Sequence, residues 1–198
     1  MYFEHSYLTL ILISSLERAM FMKKSLYVLL GILLLGSALF LWFYSFPKSI
    51  DRANEVVIQD NEKTISDTAT VTMKGKLHRP LFRQSYFEGT MEISALEFTN
   101  SYKLFPLYMV KEGEIYSSFV TFSGSSQQLG NVTGVMFHDA GFTTFNLFLR
   151  EAPYKGTNRD LIQVVSPASD ATNAEQVVEK LRLKFPEMPD AKTLLPQQ

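Results

Sequence analysis

From Ser25 to Phe46 the chain carries 22 consecutive residues without a charge, SLYVLLGILLLGSALFLWFYSF. At about 1.5 Å per residue, a helix of that length reaches roughly 33 Å, against about 30 Å of hydrocarbon in a bilayer. A helix that is apolar on every face has no side to turn to water, which sets it apart from an amphipathic helix of a soluble domain. The run therefore predicts a transmembrane helix over 25–46. Lys23 and Lys24 precede it, and the positive-inside tendency keeps that end in the cytoplasm. Trp42, Phe43, Tyr44 and Phe46 close it with rings suited to the outer headgroup zone. The expected arrangement is a single-pass plasma-membrane protein with residues 1–24 cytoplasmic and everything after Phe46 outside. A cleaved signal peptide is the rival, but it calls for a shorter apolar stretch and a small-x-small exit site. Here the exit is Leu41-Trp42-Phe43-Tyr44.

Ahead of that helix, Tyr7 to Ile13 is apolar but too short to cross. Met20 and Met22 stand just before Lys23-Lys24, and a start at Met22 gives MKKSLYVLLGILLLG, an ordinary membrane-targeting terminus. Residues 1–21 are accordingly read as an over-long translation start, with a short cytoplasmic interfacial segment as the alternative.

Charge and composition narrow the rest. From Lys48 onward there are 16 Lys and Arg against 18 Asp and Glu, so the outer part is slightly acidic. Nucleic-acid binding needs a basic face to displace phosphate counterions, and no basic run supplies one. Cys is absent, which excludes disulfides, thiolate metal sites, thiol nucleophiles and a lipid anchor on Cys. With 46% hydrophobic residues there is ample material for a core.

Residues 47–66 read as a polar juxtamembrane spacer whose brief apolar patch, Val56 to Ile58, offers an edge strand. Beyond it the pattern alternates. Ala69, Val71, Met73, Gly75 and Leu77 fall on one face with Thr70, Thr72, Lys74 and Lys76 on the other, which is a half-buried strand. Tyr86 to Ile93 alternates likewise and pairs with it, so that Lys74 and Lys76 meet Glu88, Thr90 and Glu92 across the outer surface. Further strands are expected at Leu96–Thr99, Leu104–Val110, Glu114–Phe122, Val132–His138, Phe142–Arg150 and Leu161–Val165. Turn-formers separate them at Lys111–Gly113, Ser123–Gly130, Asp139–Gly141 and Pro153–Arg159. Short strands without intervening helices argue for a mainly β fold, an antiparallel meander closed as a sandwich or a partly closed barrel, over residues 67–186. One amphipathic helix, 173–185, ends it. Thr172 and Glu175 form a capping box, Ala174, Val177, Val178, Leu181 and Phe185 line one side, and Pro186 stops it. The tail 187–198 is expected to be loose.

Signals for chemistry are sparse. His78 lies in the basic connection HRPLFR, and His138 ends a strand beside Asp139. Neighbours in a strand point to opposite faces, so His138 and Asp139 do not readily share one site. Ser123-Gly124-Ser125-Ser126 matches a nucleophile elbow only in composition. No phosphate loop, dinucleotide fingerprint or metal-ligand spacing is present. Asn131-Val132-Thr133 is a formal glycosylation triplet of low specificity. Neither a catalytic residue nor a cofactor is expected.

The aromatic load between Phe82 and Phe148 is unusual. Most of it is core, but Glu114–Phe122 and Phe142–Leu149 carry apolar residues on both faces and need cover that one helix supplies only in part. Tyr116, Phe119, Phe122, Phe145 and Phe148 are therefore the candidate binding residues. The resulting expectation is a non-enzymatic binding or accessory module at the cell envelope. It would contact the bilayer through 25–46 and an envelope protein through its aromatic surface. The alternatives are a carrier or sensor of a lipid-like or small apolar ligand, which needs a hollow interior, and an envelope hydrolase built on His78 or His138.

Overall fold

The apolar run and its upstream residues form one continuous helix. In a computed structural model, which describes residues 3–60, 66–124, 131–190 and 193, helix α1 covers Phe3–Phe43. Residues 3–24, expected as a separate leader, are its first turns. The expectation about the translation start lies outside what the structure describes. Lys23–Phe43 is the part long and apolar enough to cross a membrane. The helix stops short of Phe46: Tyr44 N still donates to Phe40 O at 2.8 Å, but Phe46 takes φ +42°. Phe46 precedes Pro47, whose ring disfavours helical backbone at the residue before it.

The alternating segments after Pro47 become strands: β1 (Lys48–Asp60), β2 (Ser66–His78) and β3 (Tyr86–Ile93). A four-residue helix α2 (Phe98–Ser101) follows, then β4 (Lys103–Leu104), β5 (Leu107–Glu112), β6 (Ile115–Ser123), β7 (Val132–His138), β8 (Phe145–Tyr154) and β9 (Thr157–Ser166). Helix α3 (Ala171–Lys184) comes last. Every pairing is antiparallel, β9 returns to β1, and β6 bonds β7, so eight strands close an up-and-down barrel and β4 is a short extra strand on β6. Of the two expected closures, the barrel is the one formed, and it is fully closed.

Four local expectations are corrected. The supposed spacer is β1, a full stave that pairs with β2 from Lys48 to Gln59 and with β9 from Val57 to Asp60. Leu96–Thr99 is a turn leading into α2, where the Thr99 hydroxyl donates to Leu96 O and accepts from Ile93 N. Leu104–Val110 is split into β4 and β5 around Phe105-Pro106, because Pro106 has no N–H to continue the ladder. Pro153–Arg159 is no long separator but a tight hairpin between β8 and β9, with Lys155 and Gly156 both at positive φ.

Residues pointing inward fill the barrel. Phe87, Phe122, Phe142 and Phe145 are fully buried together with Met73, Met91 and Met136. Eight strands leave a lumen just wide enough for side chains or one small ligand, and here side chains occupy it. Gly75 and Gly89 face each other on that inner surface, and the Phe87 ring lies over both. A Cβ built on Gly75 would overlap the Glu88 backbone oxygen of the facing strand and stand 2.7 Å from Gly89 Cα and 2.9 Å from Phe87 Cζ, so a side chain there would force the β2 and β3 backbones apart as well as displace the ring.

Helix α3 covers the outside of β7, β8, β9 and β1 and reaches the first residue of β6, Ile115. Leu181 packs with Ile115, Phe137, Phe148 and Leu161, and Ala174 packs with Val57, Val165 and Ala168. This explains why Val56–Asp60 and Phe145–Leu149 are buried without alternation: one face meets the lumen and the other meets α3. The helix begins at Ala171. Asp170 caps it through Asn173 N at 2.8 Å, two residues before the expected Thr172.

Candidate functional site

Directly opposed residues of an antiparallel pair project to the same face. One outward row of the barrel carries rings on strand after strand. His78 on β2 faces Tyr86 on β3, which faces Tyr108 on β5. The β5–β6 register, with Met109 opposite Ser118, then sets Tyr108 level with Phe119 on β6. Phe119 faces Val135 on β7, and Val135 faces Phe148 on β8. His78 stacks on Tyr86 at 4.5 Å, and Tyr86 meets Tyr108 at 5.6 Å between centroids.

The row changes character between β6 and β7. Val135 and Phe148 lie in the cluster under α3. Phe119, one strand away, is 64% exposed, Tyr108 is 54% exposed, and Val110 on the same face of β5 is 50% exposed. Half of one apolar row is thus roofed by the helix and half faces outward.

Against this geometry the five candidate binding residues separate. Phe122 and Phe145 are lumenal and fully buried, and Tyr116 is a partly buried residue packed against the same inner cluster. Phe148 points outward but is covered by α3. Only Phe119 belongs to an exposed surface, so the five do not form one patch. Tyr86, Tyr108 and Val110 join Phe119 instead. The signal that would have found them was strand parity: Phe119 sits one step out of phase with Val120 and Phe122.

His138 is fully buried in the lumen, stacked between Tyr116 and Phe142. Its Nδ1 lies 2.7 Å from Asp139 O, which makes Nδ1 the protonated nitrogen and leaves Nε2 to accept from Ser118 Oγ at 2.9 Å. Burial pushes the imidazole down to about 4, so it is neutral at pH 7. The Asp139 carboxylate is turned away and accepts from Gly141 N and Thr143 N. A Ser–His contact of this kind resembles half of a hydrolase triad, but the second ring nitrogen meets a backbone carbonyl in place of a carboxylate, and Ser118 is only 2% exposed. The pair satisfies its polar atoms inside an apolar core. His78 lies 3.7 Å from the exposed Glu88 carboxylate.

A polar cluster that the sequence reading did not single out closes one hairpin. Asp67 accepts from the Tyr154 hydroxyl and from Lys155 Nζ, the latter at 2.6 Å. These bonds hold the Asp67 carboxyl below its ordinary range, with Lys155 contributing most. A recess of about 590 Å³ beside Lys155 is lined by Glu97, Phe98, Ser101, Tyr102 and Pro153. A second groove, of about 710 Å³, runs along α3 over Gln59, Phe148 and Gln163, where Gln163 donates to Asn146 Oδ1 at 3.0 Å. Among the described residues, no three His, Asp or Glu side chains gather as metal ligands. Asn131 is described and exposed, whereas Ser125 and Ser126 of the serine-rich turn lie outside the described residues, as does most of the tail after Asp190.

Comparison with known proteins returns no match: no family model, curated protein or solved structure resembles the chain.

Proposed function

We propose that the chain is a membrane-tethered, non-enzymatic binding module of the cell envelope, whose contact for a protein partner is the outward row Tyr86, Tyr108 and Phe119 with Val110. The observation that carries this reading is the roof that ends midway: α3 covers the row at Val135 and Phe148 and leaves Phe119 and Tyr108 open. Burying a large apolar side chain stabilises by about 1.5–3 kcal/mol, so two exposed rings and a valine side by side are a sizeable unsatisfied surface. Aromatic residues at the centre of a patch are also the side chains that dominate protein–protein contacts.

Two further observations support it. A carrier of a lipid-like molecule needs an open lumen, and this one is packed with Phe and Met. A hydrolase needs its nucleophile within reach of substrate, and the Ser118–His138 pair is sealed in the core. Lys23-Lys24 ahead of the apolar helix supports the orientation with the barrel outside.

A photoreactive amino acid placed at Phe119 in the full chain, irradiated in native membranes, is expected to give a discrete adduct of higher mass. The same group at Thr90, on the outer face of β3, is expected to give none. No adduct at position 119, or the same bands from both positions, would remove the row from the account.

A further inference from the structure

The connection between β2 and β3, residues 79–85, reads Arg79-Pro80-Leu81-Phe82-Arg83-Gln84-Ser85. Pro80 is buried, yet Leu81 and Phe82 beside it are 58% and 60% exposed. Arg79 and Arg83 flank them, and both are exposed. Two adjacent large apolar side chains bracketed by guanidinium groups match the composition of the bilayer interface. There the apolar tip enters the acyl boundary, and a planar, permanently charged Arg reaches lipid phosphate.

Geometry gives the tip a depth. Pro80–Phe82 belongs to the same compact unit as α1, and the Phe82 ring stacks on Trp42 with centroids 5.6 Å apart and planes 20° from parallel. Trp42 stands in the last turn of the segment long and apolar enough to cross a bilayer. When that segment spans, its terminal Trp lies at the headgroup level, and a ring stacked on it lies within one ring's width of the same depth. Resting on the membrane-tethered reading, we infer that Leu81 and Phe82 are a second membrane contact, inserted at the headgroup–acyl boundary of the phospholipid leaflet that Trp42 reaches. The bilayer then meets the chain at two points far apart in sequence.

Trp42 is the sole tryptophan, so emission can be assigned residue by residue. Three full-length proteins in phospholipid vesicles containing brominated acyl chains test the inference: the natural chain, Trp42→Phe/Phe82→Trp and Trp42→Phe/Leu81→Trp. Quenching of Trp42 by the brominated lipid is expected, and its absence would overturn the tether itself. With Trp42 quenched, the position 82 and position 81 probes are expected to be quenched within about twofold of it, as for rings at interfacial depth. Quenching of both by aqueous iodide but not by brominated lipid would overturn the loop contact while leaving the tether intact. Protection of both from both quenchers would do the same and would indicate a protein neighbour.

Discussion

Lowering the pH should destabilise the barrel chiefly through His138. Its imidazole is neutral in the fold because burial depresses it from 6.5 to about 4. An unfolded chain takes up that proton near 6.5, so between the two values the unfolded state binds more protons and stability falls as pH falls. The contribution is complete above pH 7 and is lost as pH drops through about 4. By linkage the loss is about 2 kcal/mol at pH 5 and about 3 kcal/mol at pH 4, a large share of the 5–15 kcal/mol typical of domains. The measurement is denaturant unfolding of the detergent-solubilised full chain from pH 7.5 to 4, followed by the strand signal in circular dichroism, because Trp42 reports on α1 and not on the barrel. A Ser118→Ala/His138→Leu variant, which removes both members of the pair and leaves neither polar group alone, should lose most of this slope. Equal slopes in the two proteins would show that the ring is not held neutral in the core, and the case against a catalytic Ser–His pair would lose its footing.

Other outcomes follow from the packing. Phe122→Ala empties a lumenal position where the ring meets Phe98 edge-on at 5.5 Å, and should cost about 3–5 kcal/mol in the same unfolding assay. Asp170→Ala removes the cap of α3 and should cost about 1 kcal/mol, read as a lower midpoint with unchanged denaturant dependence. Phe119→Ser should leave stability within about 0.5 kcal/mol while abolishing partner capture at the row.

How much of this was legible in the sequence depended on how many faces each strand buries. Ala69–Leu77 and Tyr86–Ile93 have one wet face, and their alternation gave the pairing and the shared outer face; the register that sets Lys76 opposite Glu88 comes from the structure. Val56-Val57-Ile58 buries both faces, lumen on one side and α3 on the other, so β1 showed no period and passed for a spacer. The cap was misplaced because Asp170 and Thr172 both suit the role, and only the extended backbone at Asp170, φ −156°, decides between them. Grouping Tyr116, Phe119, Phe122, Phe145 and Phe148 by ring content mixed inward and outward positions that parity along β6 and β8 would have separated. The alignment of Tyr86, Tyr108 and Phe119 was less accessible. It rests on the registers of three strands, one of them interrupted at Pro106, and on where α3 ends its cover.

The tether is tested most directly by asking where the barrel stands in a living cell. The chain has no Cys, so Glu92→Cys on the outer face of β3 supplies a single thiol. In intact cells a membrane-impermeant maleimide should label that thiol fully, and the labelled chain should stay with the membrane fraction through an alkaline carbonate wash. Labelling only after lysis would put the barrel on the wrong side, and a labelled product shed into the medium would show that the apolar helix does not hold it.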